Sequence, residues 1–186
     1  MPKSYKAVIQ HYEAAPVNVR KYFPDFEELA THYNWEVSVS YVFSRIEQAK
    51  RMTIYCGIVK LHRCESSLTW RLVSQDYMDR GRFKDLFNIV FGRKIPDQLL
   101  AKLEKGERIR DKIAHGMDWE PKEAREGLTN VIDFATEFNE FIHGLGGFRP
   151  FGHLQGYKGR KEPLSKATTK WVLRGMGVPD KQKGKK

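Results

Sequence analysis

The chain has 186 residues, of which 40% are hydrophobic, and this is enough for a single domain with a buried core. No apolar run approaches the roughly 20 residues that a membrane-spanning helix requires, so the composition argues against an integral membrane protein and for a cytoplasmic one. The net charge of +10 is concentrated in residues 158–186, which carry ten Lys and Arg residues against two acidic ones. Such a basic tail is typical of an arm that faces nucleic acid, although a merely solvated tail has the same composition.

The N-terminal part of the sequence predicts helices joined by irregular links. Residues 4–14 place apolar side chains at helical spacing, and the next segment, bracketed by Pro16 and Pro24, is predicted to be irregular. Asp25 is suited to cap a short helix that follows it. A long helix is predicted over residues 35–63, because apolar residues recur there with the period of an α-helix.

The middle of the chain is predicted to stay helical. On the long helix, Glu47 and Lys50 are expected to form an exposed ion pair, with Arg51 beside them. One of the two serines at 66–67 would cap the next helix, which is predicted to run to about Arg80.

Two further helices are predicted over residues 96–115 and 121–143, after a short apolar segment at 83–91 that ends at Gly92. The link between these two helices is short, so they are expected to pack as antiparallel neighbours. Gly106 would let the first of them bend or pack closely. No strand pattern is present, and the predicted fold class is therefore all-α, an antiparallel helical bundle.

The composition changes near residue 145, which divides the chain into a helical domain, 1–145, and an irregular basic extension, 146–186. The extension is rich in glycine, carries a predicted short helix at 163–175 and is expected to end in a disordered segment. Its aromatic residues, among them Phe148 and Phe151, stand beside cations. They would either stack on the bases of single-stranded RNA or anchor the extension to the helical domain.

The segment with the clearest chemistry ends the helix predicted at 96–115. Arg110, Asp111 and His115 place a guanidinium, a carboxylate and an imidazole within six residues. Asp111 and His115 are four residues apart, so on a helix they share a face and the carboxylate can accept a hydrogen bond from the imidazole. RNA supplies its own nucleophile, the 2′-hydroxyl. An imidazole that moves a proton and a guanidinium that stabilises negative charge are then sufficient to cleave it without a metal ion.

The same residues also fit a purely structural role. Helices commonly end with basic residues in the last turn and a glycine just after it, and Arg110, His115 and Gly116 follow that rule. A catalytic centre and an ordinary helix end are both consistent with the local sequence.

The string from Arg110 to Gly116, Arg-Asp-Lys-Ile-Ala-His-Gly, resembles the signature of the HEPN superfamily, α-helical domains that include many ribonucleases of toxin, phage-defence and CRISPR systems. The similarity covers most of residues 30–145. It implies a HEPN-type bundle and a metal-independent endoribonuclease without a cofactor, with Arg110, Asp111 and His115 as catalytic residues. It also implies a toxin or defence effector, for which an antitoxin or a sensor protein would be a partner. Arg108 has a spacing that the family tolerates as well, and Arg110 is preferred because Asp111 follows it directly.

The spacing of Arg110 and His115 raises a geometric difficulty. Residues five apart on a straight helix differ by about 140° in direction, so these two side chains of one chain do not converge. Either the helix unwinds at Gly116 or two chains share a site across a two-fold axis. In the families that this sequence resembles, two such motifs face each other, and a homodimer is therefore expected.

RNA is the expected partner, and the cations that would contact it lie near the motif and in the extension: Arg108, Lys112, Arg149, Lys158, Arg160 and Lys161. Two other functions compete with the ribonuclease. One is a non-catalytic RNA- or nucleotide-binding module on the same fold, and the other is an adaptor whose basic tail engages an acidic partner. No metal site is expected, because no cluster of His, Asp or Glu has ligand spacing, and the two cysteines are expected to be reduced thiols.

Overall fold

The computed structural model describes residues 4–152 and 162–179. Within these residues the chain is all-α, as predicted, with no strand. None of the helices there has both the length and the apolar character of a membrane span. The end expected to be disordered, 179–186, lies outside the described residues except for Pro179, and so do the RNA contacts assigned to Lys158, Arg160 and Lys161. In chain order the helices are α1 (Tyr5–Ala14), α2 (Val17–Tyr22), α3 (Phe26–His32), α4 (Trp35–His62), α5 (Ser66–Gln75), α6 (Arg80–Phe91), α7 (Asp97–Ala114), α8 (Pro121–Gly146) and α9 (Lys166–Gly175).

The long helix α4 is the central element of the bundle. It starts at Asn34, whose side chain accepts a hydrogen bond from the N–H of Val37, and it ends within one residue of the predicted end. α4 packs against α3, α5, α6, α7 and α8. Because it has neighbours on most sides, nearly half of its residues are buried, and side chains on α4 can reach sites built on several other helices.

The prediction of an irregular segment between Pro16 and Pro24 is wrong in part, since α2 occupies most of this segment. Pro16 stands at the N-cap of α2, where its missing N–H removes no helical hydrogen bond. Asp25 does precede α3 as its N-cap residue, but its side chain makes no capping hydrogen bond.

The helix predicted to run to Arg80 is divided in two. α5 ends at Gln75, and α6 begins after Asp79, whose carboxylate accepts a hydrogen bond from the N–H of Arg82. An N-cap residue has extended backbone, so the earlier helix cannot continue through it. α5 itself is capped by Glu65, which accepts hydrogen bonds from two backbone N–H groups, and not by either of the serines that follow it.

Helices α7 and α8 pack as antiparallel neighbours, as predicted. Lys112 near the end of α7 pairs with Glu123 near the start of α8, and farther from this turn Gly106 faces Gly127. A Cβ added at Gly127 would lie 2.5 Å from Cγ2 of Ile109, which is closer than two carbon atoms can approach. The two glycines therefore allow the backbones of α7 and α8 to come close. This close contact determines which side chains of α7 point towards α4.

The first part of the extension belongs to the core. Phe148 and Phe151 are both buried, and the amide of Asn139 binds the N–H and the C=O of Phe151. These two rings therefore anchor the chain and are not free to stack on bases. Farther along, α9 packs on α5, and the Thr169 hydroxyl accepts a hydrogen bond from the N–H of Glu65.

Candidate functional site

The end of α7 is a helix stop built on glycine. Gly116 has a φ of +63°, and its N–H binds the C=O of Ile113 at 3.2 Å. The N–H of Met117 binds the C=O of Lys112 at 2.9 Å, which completes a Schellman motif. His115 is the C-cap residue of this motif, outside the last regular turn, and its side chain is exposed.

Arg110 and Asp111 line an open cleft of about 470 Å³ between α4, α7 and the start of α6. His115 is not among the residues that line it, so the structure brings two of the three predicted catalytic residues together in one cleft. An exposed tyrosine, Tyr77, stands at its edge. The other charged side chains of the lining are Glu47, Lys50, Arg51, Asp79 and Arg80.

Beneath the cleft lies a buried charge network centred on Glu107, whose side chain is 1% exposed. Its carboxylate is 3.0 Å from Nζ of Lys50 and 2.5 Å from Nε of Arg80. Lys50 also binds Glu47, at 3.1 Å, and its side chain is only 4% exposed. The expected ion pair of Glu47 and Lys50 is therefore formed, but its expected exposure is wrong, because Lys50 is buried between two carboxylates. Charges this deep are tolerated only when they are paired and hydrogen-bonded.

The carboxylate of Asp111, on α7, is bound by an arginine of α6. Its Oδ2 accepts a hydrogen bond from Nη2 of Arg80 at 2.5 Å, and its Oδ1 lies 3.2 Å from Nε of Arg110. The expected hydrogen bond from the His115 ring to Asp111 is not formed, and among the described residues the ring has no hydrogen-bond partner. The carboxylate is instead engaged by a guanidinium, a charge-assisted and stronger donor. Asp111 thus orients two arginines and leaves the imidazole free.

Two arginines of the cleft have unused donors. The Nε groups of Arg51 and Arg110 are buried and make no hydrogen bond with a described residue, although Nε of Arg110 lies within ion-pair distance of Asp111, at 3.2 Å. The Arg110 guanidinium lies 5.7 Å from the ring centroid of Phe43, a cation–π contact that holds it at the cleft. Arg51 forms no ion pair within the described part of the chain. Both guanidinium groups line the cleft, and their terminal nitrogens make no hydrogen bond with a described residue, so an anionic oxygen in the cleft would be stabilised by them.

The other cations predicted to contact RNA differ in whether a carboxylate of the protein already pairs with them. Arg108 is exposed and has no ion-pair partner among the described residues. Lys112 donates a hydrogen bond to Glu123 at 2.6 Å, and this bond lowers the pKa of Glu123. Arg149 binds Glu140 through two nitrogens, at 3.0 and 3.1 Å, which lowers the pKa of Glu140 and raises that of Arg149. A phosphate that approached Lys112 or Arg149 would have to compete with these carboxylates.

The sequence reasoning missed the part of the site that comes from distant helices, chiefly Arg80 and Glu107. One signal was available. Lys50 falls on the same face of α4 as Ile46 and Ile54, which are fully buried, and a charge on an apolar face indicates a buried partner. Within the described residues there is no group of three or more His, Cys, Asp or Glu side chains that could hold a metal ion.

No family model, curated protein or solved structure matches this chain.

Proposed function

We propose that the protein is a metal-independent endoribonuclease of the HEPN type, which cleaves single-stranded RNA with Arg110, Asp111 and His115. One observation carries the proposal: Arg110 and Asp111 line one cleft with Arg51, and the terminal guanidinium nitrogens of both arginines make no hydrogen bond with a described residue. His115, with a ring that no described side chain binds, lies at the exposed end of the same helix.

The chemistry divides among these groups as follows. The RNA 2′-hydroxyl gives its proton to water and attacks the adjacent phosphorus, and the bond from phosphorus to the 5′-oxygen breaks. Arg110 stabilises the extra negative charge of the phosphorane-like transition state. Asp111 keeps the guanidiniums of Arg80 and Arg110 in place. His115 protonates the departing 5′-oxygen, because imidazole is the side chain best suited to proton transfer near neutral pH. The products are a 2′,3′-cyclic phosphate and a 5′-hydroxyl.

The position of His115 supports a shared site in a homodimer. Since His115 does not line the cleft of its own chain, a two-fold axis near the ends of the two α7 helices would bring His115 of one chain to Arg110 of the other. This arrangement also resolves the divergence of about 140° between residues five apart on a helix.

The test is cleavage of a mixed-sequence single-stranded RNA in the presence of EDTA. Arg110→Ala and His115→Ala should each reduce the rate by about 100-fold or more, and DNA of the same sequence should stay intact. A matched control, His143→Ala, removes an exposed histidine in the last turn of α8 and should keep wild-type activity. Activity that survives in His115→Ala, or that requires an added metal ion, would refute the assignment.

The shared site has its own test. Arg110→Ala and His115→Ala proteins, each inactive alone, are mixed under conditions that let subunits exchange. If each site takes Arg110 from one chain and His115 from the other, activity should return to about one quarter of wild type, because half of the dimers are mixed and each has one complete site. No recovery, with subunit exchange verified, would place both residues of a site in one chain.

A second candidate, a non-catalytic RNA- or nucleotide-binding module, is favoured by the absence of any described side chain that orients His115. It predicts equal RNA binding by wild type and His115→Ala, without cleavage. A role as a toxin or phage-defence effector, restrained by an antitoxin or a sensor protein, follows only from the HEPN resemblance. It predicts that expression in bacteria arrests growth for wild type and not for His115→Ala.

A further inference from the structure

An exposed aromatic ring stands at the edge of the cleft and takes no part in the chemistry proposed above. Tyr77 is 78% exposed and lines the cleft beside Arg51 and Arg110. It lies in the short link between α5 and α6, and its two chain neighbours, Asp76 and Met78, are both buried. A large ring that is turned to solvent between two buried residues contributes little to the core, so its position calls for another role.

The backbone on both sides of Tyr77 is fixed. The Asp76 carboxylate accepts two hydrogen bonds from Arg82, at 2.8 and 3.0 Å, and Arg82 also donates to the C=O of Gly177 at 2.6 Å. On the other side, Asp79 caps α6. An aromatic ring on a fixed backbone loses little freedom when a flat ligand stacks on it, so it can contribute affinity at low entropic cost.

The charges of the cleft alone do not explain how it would bind a nucleic acid. Its lining carries four cations and three carboxylates, and Glu107 lies directly beneath, so the formal charges cancel. A neutral cleft does not attract a nucleic-acid strand through a general positive field. The terminal guanidinium nitrogens of Arg51 and Arg110 can hold a phosphate by directed hydrogen bonds, and the rest of the affinity must come from a contact to the base.

We propose that Tyr77 stacks on a nucleobase while Arg51 and Arg110 bind the phosphate next to it, so that the cleft is a binding subsite for one nucleotide of single-stranded RNA. The volume of about 470 Å³ lies within the range of small-ligand sites. Because every base has a π face, such a subsite accepts any base that is not paired, which selects for single strands. This inference rests on the proposed function for the identity of the strand and adds the group that holds its base.

The test is equilibrium binding, followed by fluorescence anisotropy, of an uncleavable 2′-O-methyl oligouridylate and of its abasic counterpart with the same backbone. Tyr77→Ala should weaken binding of the oligouridylate by about 5- to 100-fold, the effect of losing one stacked base. Tyr77→Phe should bind like wild type. Tyr33→Ala removes a tyrosine that is 57% exposed at the C-cap of α3 and does not line the cleft, so it should have no effect. The abasic strand should bind wild type and Tyr77→Ala equally.

Each outcome decides between the two proposals. Equal binding of the oligouridylate by wild type and Tyr77→Ala would overturn the nucleotide subsite, and so would an equal loss with the abasic strand, because the ring would then not contact the base. If the Tyr77 effect is seen and wild type does not cleave RNA, the subsite stands and the ribonuclease fails. If wild type cleaves RNA and shows no Tyr77 effect, the subsite fails and the ribonuclease stands.

Discussion

The buried pair of Lys50 and Glu107 should be strongly coupled in stability. We consider Lys50→Met, Glu107→Leu and the double variant, which replace the two charged side chains with apolar ones of similar size. The side chains are 4% and 1% exposed, so each single variant leaves a charge in the interior with one partner fewer.

The size of the effect follows from the partners that remain. Breaking a buried ion pair costs about 3–5 kcal/mol. After Lys50→Met, Glu107 keeps Arg80, and after Glu107→Leu, Lys50 keeps Glu47. We therefore expect the lower end, about 3 kcal/mol for each single variant. The double variant leaves neither charge unpaired, so it should cost about 2 kcal/mol less than the sum of the two.

The assay is urea unfolding followed by circular dichroism, with the four free energies combined as a double-mutant cycle. The matched control is the pair of Lys84 and Glu104, which is also a Lys–Glu pair, at 3.2 Å, but has side chains 42% and 40% exposed. Its coupling should be below about 1 kcal/mol. Equal coupling free energies for the two pairs would refute this reasoning. It would also be refuted if the losses of unfolding free energy from Lys50→Met and Glu107→Leu were additive.

Three further predictions concern the frame around the site. Gly127→Ala should destabilise the protein by about 1–3 kcal/mol, since its Cβ would meet Ile109 at 2.5 Å. In the same helix Gly144→Ala, with open space around it, should stabilise by about 0.5–1 kcal/mol, and equal urea midpoints for the two variants would contradict the close helix contact. Burial raises the pKa of Cys56 to about 12, so iodoacetamide should label this thiol in urea but not in the native protein, as mass spectrometry can show. Hydrogen bonds from backbone N–H groups lower the pKa of Glu65, so its capping contribution is full above an unfolded pKa of about 4.3 and is lost as pH falls through the folded value. The stability difference between wild type and Glu65→Ala in urea should therefore shrink below about pH 4, and a constant difference would contradict this.

The periodicity of apolar residues was enough to predict the long helices, because burial of one face determines whether such a segment is helical. The ends of helices were harder to predict where a single side chain decides them. Glu65 caps α5 although glutamate is not a preferred N-cap residue, and Asp79 starts a new helix inside a pattern that looked continuous. Neither contact alters the apolar period, so the period alone could not reveal them.

The site was predictable only where it is local. Arg110 and Asp111 are adjacent in sequence, and their spacing to His115 marked the segment without any structure. Arg80 reaches Asp111 across 31 positions, and Lys50 reaches Glu107 across 57. Such contacts depend on how α4, α6 and α7 pack, and for this reason the sequence suggested the imidazole as the partner of Asp111 where the structure has a guanidinium.

The same structure separates residues that hold the site from residues that would bind a ligand. Glu107 and Lys50 are buried and have all their partners inside the protein, so substitutions there should reduce stability first and activity only as a consequence. Arg51 and Tyr77 have no partners that the fold needs, so their loss should leave stability within about 0.5 kcal/mol of wild type while any binding to the cleft is weakened. The Arg51 guanidinium lines the cleft and forms no ion pair within the described residues. Its charge is therefore available to a phosphate, and this is the physical reason to test RNA binding at this end of α7.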